Sequence, residues 1–308
     1  MADKIRWGII GTGQIASQFA EGLAALPDAE LVAVGSRTAE TAARFAKRFG
    51  VPRGHACYEA LAEDPGIDVV YVATPNTYHK RDALLCLESG KPVLCEKPFT
   101  INAVEAASVI QAARERNLFL MEAMWTRFVP AIQRLRALLA ERAIGELHML
   151  IADLGMCFQF DPQSRLFDLH LGGGALLDLG IYPASLASML FGAPSSITSR
   201  AQIGETGVDE QAAIILEYGP LQLATLYTSL RTETPQEAIL QGSRGRIRVQ
   251  GPLYRPSRLS LSVAGQKERI LEEPFQGNGY AHEAAEVIRC LRAGELESRV
   301  MPLDETLS

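Results

Sequence analysis

Through the first 122 residues, short and uniformly apolar runs alternate with longer stretches of helical periodicity. Ile5 to Ile10, Leu31 to Gly35, Val69 to Ala73, Val93 to Cys95 and Phe119 to Met121 read as strands without a polar face. Between them, Gln14 to Ala25, Ala39 to Phe49, Tyr78 to Ser89 and Val104 to Arg116 read as helices. Repeated strand–helix units with continuous apolar strands predict a parallel sheet covered on both faces, a doubly wound Rossmann arrangement.

After Pro130 the texture changes. A helix over about Ala131 to Glu141 precedes a strand-like stretch from Leu147 to Phe158, a Gly-rich turn and a helix from about Ala175 to Leu190. Alternating segments follow at Ala213 to Tyr218, Leu221 to Tyr227, Ala238 to Gln241, Arg246 to Gln250 and Arg258 to Val263, a pattern that predicts a mostly antiparallel sheet. The expected fold class is therefore α/β followed by α+β. A dinucleotide-binding domain spans 1–122, and a C-terminal substrate-binding and dimerisation domain with a large open sheet spans 123–308. Two cores also suit a chain of 308 residues. A sheet face free of predicted helices suits a homodimer, an expectation that light scattering showing a monomer would remove.

Composition narrows the partners. A net charge of −6 argues against nucleic acid, whose binding needs clustered Lys and Arg. The one local basic run, Arg244, Arg246 and Arg248, has a period of two and reads as one face of a strand, solvated or facing a second subunit. The five cysteines form no CxxC pair and the five histidines no HxxxH, so no metal site and no disulfide are expected. No apolar stretch is expected to reach the roughly 18 residues of a membrane span, and the chain reads as cytoplasmic.

The first strand runs into Gly11-Thr12-Gly13-Gln14-Ile15-Ala16, a match to G-x-G-x-x-G/A placed between a strand and a helix. Gly11 permits the tight turn, Gly13 lets a pyrophosphate approach the backbone, and Ala16 lets helix and strand pack closely. Thr12, Gln14 and Ile15 complete this cofactor-binding turn. The second strand ends in Gly35-Ser36-Arg37-Thr38, without the carboxylate that would bind an adenosine ribose. Ser36, Arg37 and Thr38 instead suit a 2′-phosphate, which favours NADP(H) over NAD(H).

The third strand leads to Thr74-Pro75-Asn76 and His79, candidate cofactor contacts for which helix capping by Asn76 is the alternative. Glu96-Lys97-Pro98 follows the fourth strand at the carboxyl edge, where ligands of open parallel sheets gather. In the second domain Gly172-Gly173-Gly174 precedes a helix with Asp178 and Tyr182, whose i, i+4 spacing puts both on one face. A structural role for that pair is the alternative.

With GTGQIA, ATPNTYH at Ala73 to His79, CEKP at Cys95 to Pro98 and GGGALLDLGIY at Gly172 to Tyr182, the chain resembles the glucose-fructose oxidoreductase and inositol dehydrogenase (Gfo/Idh/MocA) family. Tyr182, where many members carry histidine, together with MEAMWTRF at Met121 to Phe128 and SRLFD at Ser164 to Asp168, looks most like its dimeric dihydrodiol dehydrogenases, which also act as NADP-dependent D-xylose dehydrogenases. The resemblance implies hydride transfer to or from a carbinol carbon of a sugar, polyol or trans-diol, and a cis Lys97–Pro98 bond. On this reading Tyr182 exchanges the proton, Lys97 supplies a cation that tunes it, and Asp178 orients Lys97 or a neighbouring hydroxyl.

Trp125, Phe158 and Phe167 are candidates for an apolar substrate wall, with burial in the core as their alternative, and Arg127 and Arg165 join them as substrate-binding candidates. A dinucleotide-binding regulator without turnover and an NAD-dependent inositol dehydrogenase are the competing readings. One departure stands out. The chain stops at Pro302 to Ser308, with Asp304 as the cap or first turn of a helix, where relatives continue through that helix and back toward the first domain.

Overall fold

A computed structural model of the chain describes residues 3–308 and divides into two compact units, one formed by the chain up to Trp125 with Gln276–Ser308, the other by Thr126–Phe275. The first runs β1 (Ile5–Ile10), α1 (Gln14–Leu23), β2 (Ala29–Gly35), α2 (Ala39–Phe49), β3 (Arg53–His55), α3 (Tyr58–Ala62), β4 (Val69–Val72), α4 (His79–Glu88), β5 (Val93–Glu96), α5 (Ala103–Arg116) and β6 (Leu120–Ala123). The sheet order is β3-β2-β1-β4-β5-β6 with every pairing parallel. All residues of β4, β5 and β6 are buried, as their unbroken apolar runs require. Ile9, Val70 and Leu94 are 0% exposed, and burying each such side chain contributes roughly 1.5–3 kcal/mol. The order reverses between β1 and β4, which opens a crevice at their carboxyl ends, the place such sheets use for ligands.

Local signals explain the helix limits. Thr38 caps α2 by accepting a hydrogen bond from the Thr41 N–H at 3.3 Å, Lys47 and Arg48 occupy the last turn, and Gly50 ends the helix at φ 66°. The elements β3 and α3 were not expected. Arg53-Gly54-His55 has no apolar run to mark it, and it is held as a strand by pairing with Ala33 to Gly35.

The second unit begins with α6 (Pro130–Ala140) and β7 (Leu147–Gly155), followed by α7 (Ile181–Phe191) and then β8 (Ser196–Ile203), β9 (Asp209–Tyr218), β10 (Gln222–Ser229), β11 (Ala238–Gly242), β12 (Gly245–Val249), β13 (Arg258–Val263) and β14 (Arg269–Glu272). Its sheet has the order β14-β13-β12-β11-β7-β10-β9-β8 and is antiparallel except for β7 with β10. Leu150, Ala152, Ala224, Leu226 and Leu240 point into its core and are at most 1% exposed. Ile151, Thr225, Ile239 and Ile215 lie on the opposite face, in register across β7, β10, β11 and β9, and are half-buried or exposed. Arg246 and Arg248 of β12 are exposed on that same face. The edge strands β8 and β14 were not expected, because every residue of β8 is exposed and no apolar alternation marks it.

Two expectations are corrected. Leu169–Phe191 forms a 23-residue helical stretch long and apolar enough to cross a membrane, half of it buried inside the protein. Its buried side includes Leu179, Tyr182, Leu186 and Ala187, as in a core helix. Residues from Gln276 onward, assigned by sequence to the C-terminal domain, pack with the first unit instead. There α8 (Tyr280–Ala293) buries Ala281, Ala284, Val287 and Ile288, and α9 (Leu303–Leu307) inserts Leu303 into the cluster that contains Val109 and Ile110 of α5. Asp304 does lie in the first turn of α9, paired with Arg114 at 2.6 Å, so the chain end does return to the first unit. α8 packs beside α1, and Asn278 just before it donates to the Gln18 carbonyl at 2.7 Å, a pairing across 260 residues that local periodicity could not show.

Candidate functional site

The β1–α1 turn is built around two glycines. Gly11 has φ +102°, and a Cβ there would lie 2.6 Å from the Ala73 carbonyl oxygen at the end of β4, so only glycine fits. Gly13 caps α1 without a side-chain hydrogen bond, and nothing lies within 4 Å of a Cβ placed on it. The backbone at Gly13, where α1 begins, thus leaves room for the close approach that a pyrophosphate requires. Gly13, Gln14 and Ile15 are exposed around that space, Thr12 is half-buried, and Ala16 is buried against the sheet.

At the end of β2 the hydroxyls form a chain. Thr12 Oγ1 lies 3.3 Å from Ser36 Oγ, Ser36 Oγ 2.6 Å from Thr41 Oγ1, and Thr41 Oγ1 2.8 Å from Thr38 Oγ1. Arg37 is exposed beside them at the N-terminus of α2. Hydroxyls and a guanidinium, with no carboxylate, thus stand at the end of β2, where a Rossmann domain meets the adenosine ribose of its dinucleotide. Thr41 was missed by the sequence reading, although its place three residues after the cap marks it as turned toward the helix start.

Thr74 and Asn76 are buried at the end of β4, with Pro75 half-buried between them, and Asn76 opens a short 3-10 turn (Asn76–Tyr78) while Tyr78 caps α4. Capping of α4 by Asn76, the alternative raised by sequence, is therefore not what the structure contains. His79, taken from sequence as a cofactor contact, is 1% exposed, with Nδ1 2.8 Å from the Pro98 oxygen and Nε2 2.8 Å from the Thr74 oxygen. The neutral ring carries one N–H, so His79 donates to one of these carbonyls and packs its other nitrogen beside the second, bracing the ends of β4 and β5. Burial pushes its pKa down against the opposing pull of those two carbonyls.

Glu96 closes β5 at 5% exposure. It accepts a hydrogen bond from the Tyr71 hydroxyl on Oε1 and one from the Lys97 N–H on Oε2 at 3.0 Å. Burial pushes its carboxyl up to about 6, while the Lys97 charge and the Tyr71 hydroxyl pull the other way. The Lys97–Pro98 bond is cis, as the resemblance implied. Beyond it, the Phe99 N–H donates to Glu122 Oε1 at 3.3 Å, and Glu122 Oε2 accepts from Thr306 Oγ1 of α9 at 3.1 Å. Glu122, a second residue the sequence reading missed, thus ties the Glu-Lys-Pro turn to the end of the chain.

In the second unit Gly172, Gly173 and Gly174 are buried and lead into a π-helical turn (Leu176–Gly180) followed by α7. The start of that turn is held by Asp209, whose Oδ2 accepts from the Leu176 N–H at 2.7 Å. Asp178 lies inside the π turn and pairs with Arg165 at 2.8 Å. Tyr182 occupies the first turn of α7 at 8% exposure, with the Tyr254 ring centroid 6.0 Å away.

Arg127 is 3% exposed and holds α7 from the side, donating to Ser185 Oγ at 2.9 Å and to the Ser185 carbonyl at 2.8 Å. Phe167 is 0% exposed and meets Phe160 edge-on at 5.1 Å, which is the core alternative, whereas Phe158 is half-buried. Trp125, in the first unit, is 4% exposed and stacks on Tyr280 at 4.7 Å. The structure thus groups Asp178 with Arg165, and Arg127 with the helix of Tyr182, and it removes Phe167 from any exposed wall.

Residues 5–124 match the model of the Gfo/Idh/MocA oxidoreductase family, NAD-binding Rossmann fold, and residues 132–248 match the Gfo/Idh/MocA C-terminal domain. The trans-1,2-dihydrobenzene-1,2-diol dehydrogenase of Mus musculus is 39% identical over 98% of this chain and 92% of its own length. The Homo sapiens enzyme of that name is 38% identical over the same shares. Among solved structures, KijD10, a 3-ketoreductase from Actinomadura kijaniata in complex with NADP and TDP-benzene, superimposes with a TM-score of 0.88 at 27% identity, over 99% of this chain and 94% of KijD10. With both family models matched and 39% identity over nearly the whole chain, the chain belongs to the Gfo/Idh/MocA family as an NAD(P)-binding, dihydrodiol dehydrogenase-like oxidoreductase.

Proposed function

We propose that the protein is an NADP(H)-dependent dehydrogenase acting on a CH–OH group of a trans-diol or sugar-like substrate, with Tyr182 exchanging the proton and Lys97 assisting it. The observation that carries this reading is the placement of Lys97 on the edge of the parallel sheet that also bears the dinucleotide turn. Gly11 ends β1, Thr74 ends β4 and Lys97 ends β5, three adjacent strands, with His79 tying the last two ends together. A cofactor seated on Gly11 and Gly13 would supply the hydride acceptor or donor.

The chain's own residues do the rest. Tyr182 takes the carbinol proton in oxidation and returns it in reduction. A tyrosine of ordinary pKa, about 10, is a poor base at neutral pH, and a nearby ammonium favours its ionised form. Lys97 provides that ammonium and donates to the reacting oxygen. Glu96 holds the backbone of Lys97 and supplies its counter-charge. Asp178, paired with Arg165, offers a carboxylate for a second hydroxyl, which favours vicinal diols. The diol dehydrogenases at 38–39% identity support the substrate class, and the NADP-bound ketoreductase supports the cofactor.

We also infer a homodimer through the helix-free face of the second unit. Ile151, Ile215 and Ile239 are left there incompletely buried, with Arg246 and Arg248 beside them.

The test is a screen of aldoses, osones, inositols and trans-dihydrodiols with NADP(H) and NAD(H), run on the protein and on Arg37→Asp. Turnover with a sugar or diol, faster with NADP(H), is expected. Arg37→Asp should shift the preference toward NAD(H) by about tenfold or more, since it replaces a phosphate partner by a repelling charge. An unchanged preference would remove Arg37 from the site, and turnover of inositols with NAD(H) alone would replace the proposal.

A further inference from the structure

The first unit holds a second buried carboxyl group that none of the steps above uses. Glu283, in the first turn of α8, is 0% exposed, and neither of its carboxyl oxygens has a hydrogen-bond donor. An aromatic cluster runs from Tyr71, whose hydroxyl binds Glu96, to Tyr280 in the same helical turn as Glu283. Phe19 stacks on Tyr71 at 3.7 Å and meets Tyr280 edge-on at 6.4 Å, and Trp125 covers the other side of Tyr280. The titratable and charged groups of this region are Tyr71 from β4, Glu96 from β5, Glu122 from β6, Lys97 from the turn, and Tyr280 from α8 itself.

The two carboxyls differ in what they receive. Glu96 accepts hydrogen bonds from the Tyr71 hydroxyl and the Lys97 N–H, so a negative charge there is compensated. Glu283 receives neither, and the field at the N-terminus of α8 is too weak to replace the lost hydration of a carboxylate. A second negative charge would in addition repel the first. Burial, and after it the charge of Glu96, push the Glu283 carboxyl well above the usual carboxylate range.

We propose that Glu283 is a positioning residue for the Lys97 junction, held as a neutral carboxylic acid within electrostatic reach of Glu96, so that the buried pair carries one negative charge and Glu96 presents it to Lys97. The proposal rests on the reading of Lys97 given above for its functional part. Its structural part, a proton retained on folding, stands apart from turnover.

Stability against pH tests that structural part on the full chain. The unfolded chain releases the Glu283 proton above the ordinary carboxylate pKa and the folded chain keeps it, so the folded state binds more protons and stability falls as pH rises. Glu283→Gln has no such proton. The folding equilibrium constant of Glu283→Gln relative to the unsubstituted chain should therefore grow by up to about tenfold per pH unit from about pH 5 upward, until the folded chain itself releases the proton. A ratio that stays flat, or that falls with pH, overturns the proposal.

The positioning part is read from kcat against pH in Glu96→Gln and in Glu96→Gln with Glu283→Gln. With Glu96 neutral, burial still raises the Glu283 carboxyl but the repulsion is gone, so Glu283 ionises at a lower pH than it does beside a charged Glu96. The kcat of Glu96→Gln should rise several-fold toward alkaline pH relative to the double variant. Coincident profiles overturn the positioning role. Absence of turnover in the unsubstituted protein would defeat the hydride-transfer reading while leaving the unfolding measurement to decide the state of Glu283.

Discussion

Tyr182→Phe is expected to lower kcat by about two or more orders of magnitude, the range over which a positioned proton donor or acceptor contributes to catalysis, while NADPH binds as before. The expectation is specific because the substitution removes one hydroxyl and little else. Tyr182 is 8% exposed in the first turn of α7, its ring beside Tyr254, so phenylalanine keeps the ring packing and the helix. The dinucleotide turn lies in the other unit, built on Gly11 and Gly13, and does not depend on α7. A loss confined to kcat would therefore report the proton transfer itself. Fluorescence titration of NADPH alongside steady-state turnover separates the two effects, and full activity in this variant would exclude Tyr182 from the chemistry.

Lys97→Met should have an effect of similar size for a different reason. Methionine preserves the length of the side chain and removes the ammonium. The reacting oxygen then loses a donor, and Tyr182 loses the cation proposed to favour its ionised form. A second consequence follows from Glu96. The charge of Lys97 is the largest influence holding the Glu96 carboxyl down against burial, so without it Glu96 will take up a proton above its present value of about 6. The Glu-Lys-Pro turn should persist, since the backbone N–H of residue 97 and the Tyr71 hydroxyl still reach the Glu96 carboxyl. Measured kcat should fall by about two or more orders of magnitude, and raising the pH should recover part of it, because more of the tyrosine ionises without help. A pH profile that falls in parallel with that of the unsubstituted protein would remove Lys97 as the group that tunes Tyr182.

Much of the first unit was legible because its strands are continuous apolar runs and its helices carry their own signals. The limits of β1 and α2 coincide with those read from pattern, as do those of β13 in the second unit, and Thr38 and Gly50 explain why α2 is so well marked. What escaped was structure defined by partners. Arg53 to His55 and Ser196 to Ile203 become strands by pairing at a sheet edge, with too little buried surface to leave a pattern. The return of residues 276–308 to the first unit depends on packing of α8 and α9 against elements far away in sequence.

The candidate site divides in the same way. Gly11, Gly13 and the hydroxyls of Ser36 and Thr38 could be found from motif and spacing, because backbone conformation and strand ends dictate them. The roles of His79, Arg127 and Phe167 could not. Each carries a side chain suited to a ligand, yet each is buried on a partner of its own, the Thr74 and Pro98 carbonyls, Ser185, and Phe160. Glu122 and Glu283 were invisible for the converse reason: an acidic residue in a strand or a helix gives no sign in sequence that it will be sealed inside.

The central claim is that Tyr182 and Lys97 serve a hydride transfer between a carbinol carbon and a nicotinamide. The most direct test is a single turnover of the protein with NADP+ and a trans-diol or aldose carrying deuterium on the reacting carbon, with the isotope content of the recovered NADPH read by mass spectrometry. Deuterium should appear in NADPH with the unsubstituted protein and be slowed by about two or more orders of magnitude in Tyr182→Phe. NADP+ binding with no deuterium transfer from any sugar or diol, or transfer at an unchanged rate in Tyr182→Phe, would contradict it.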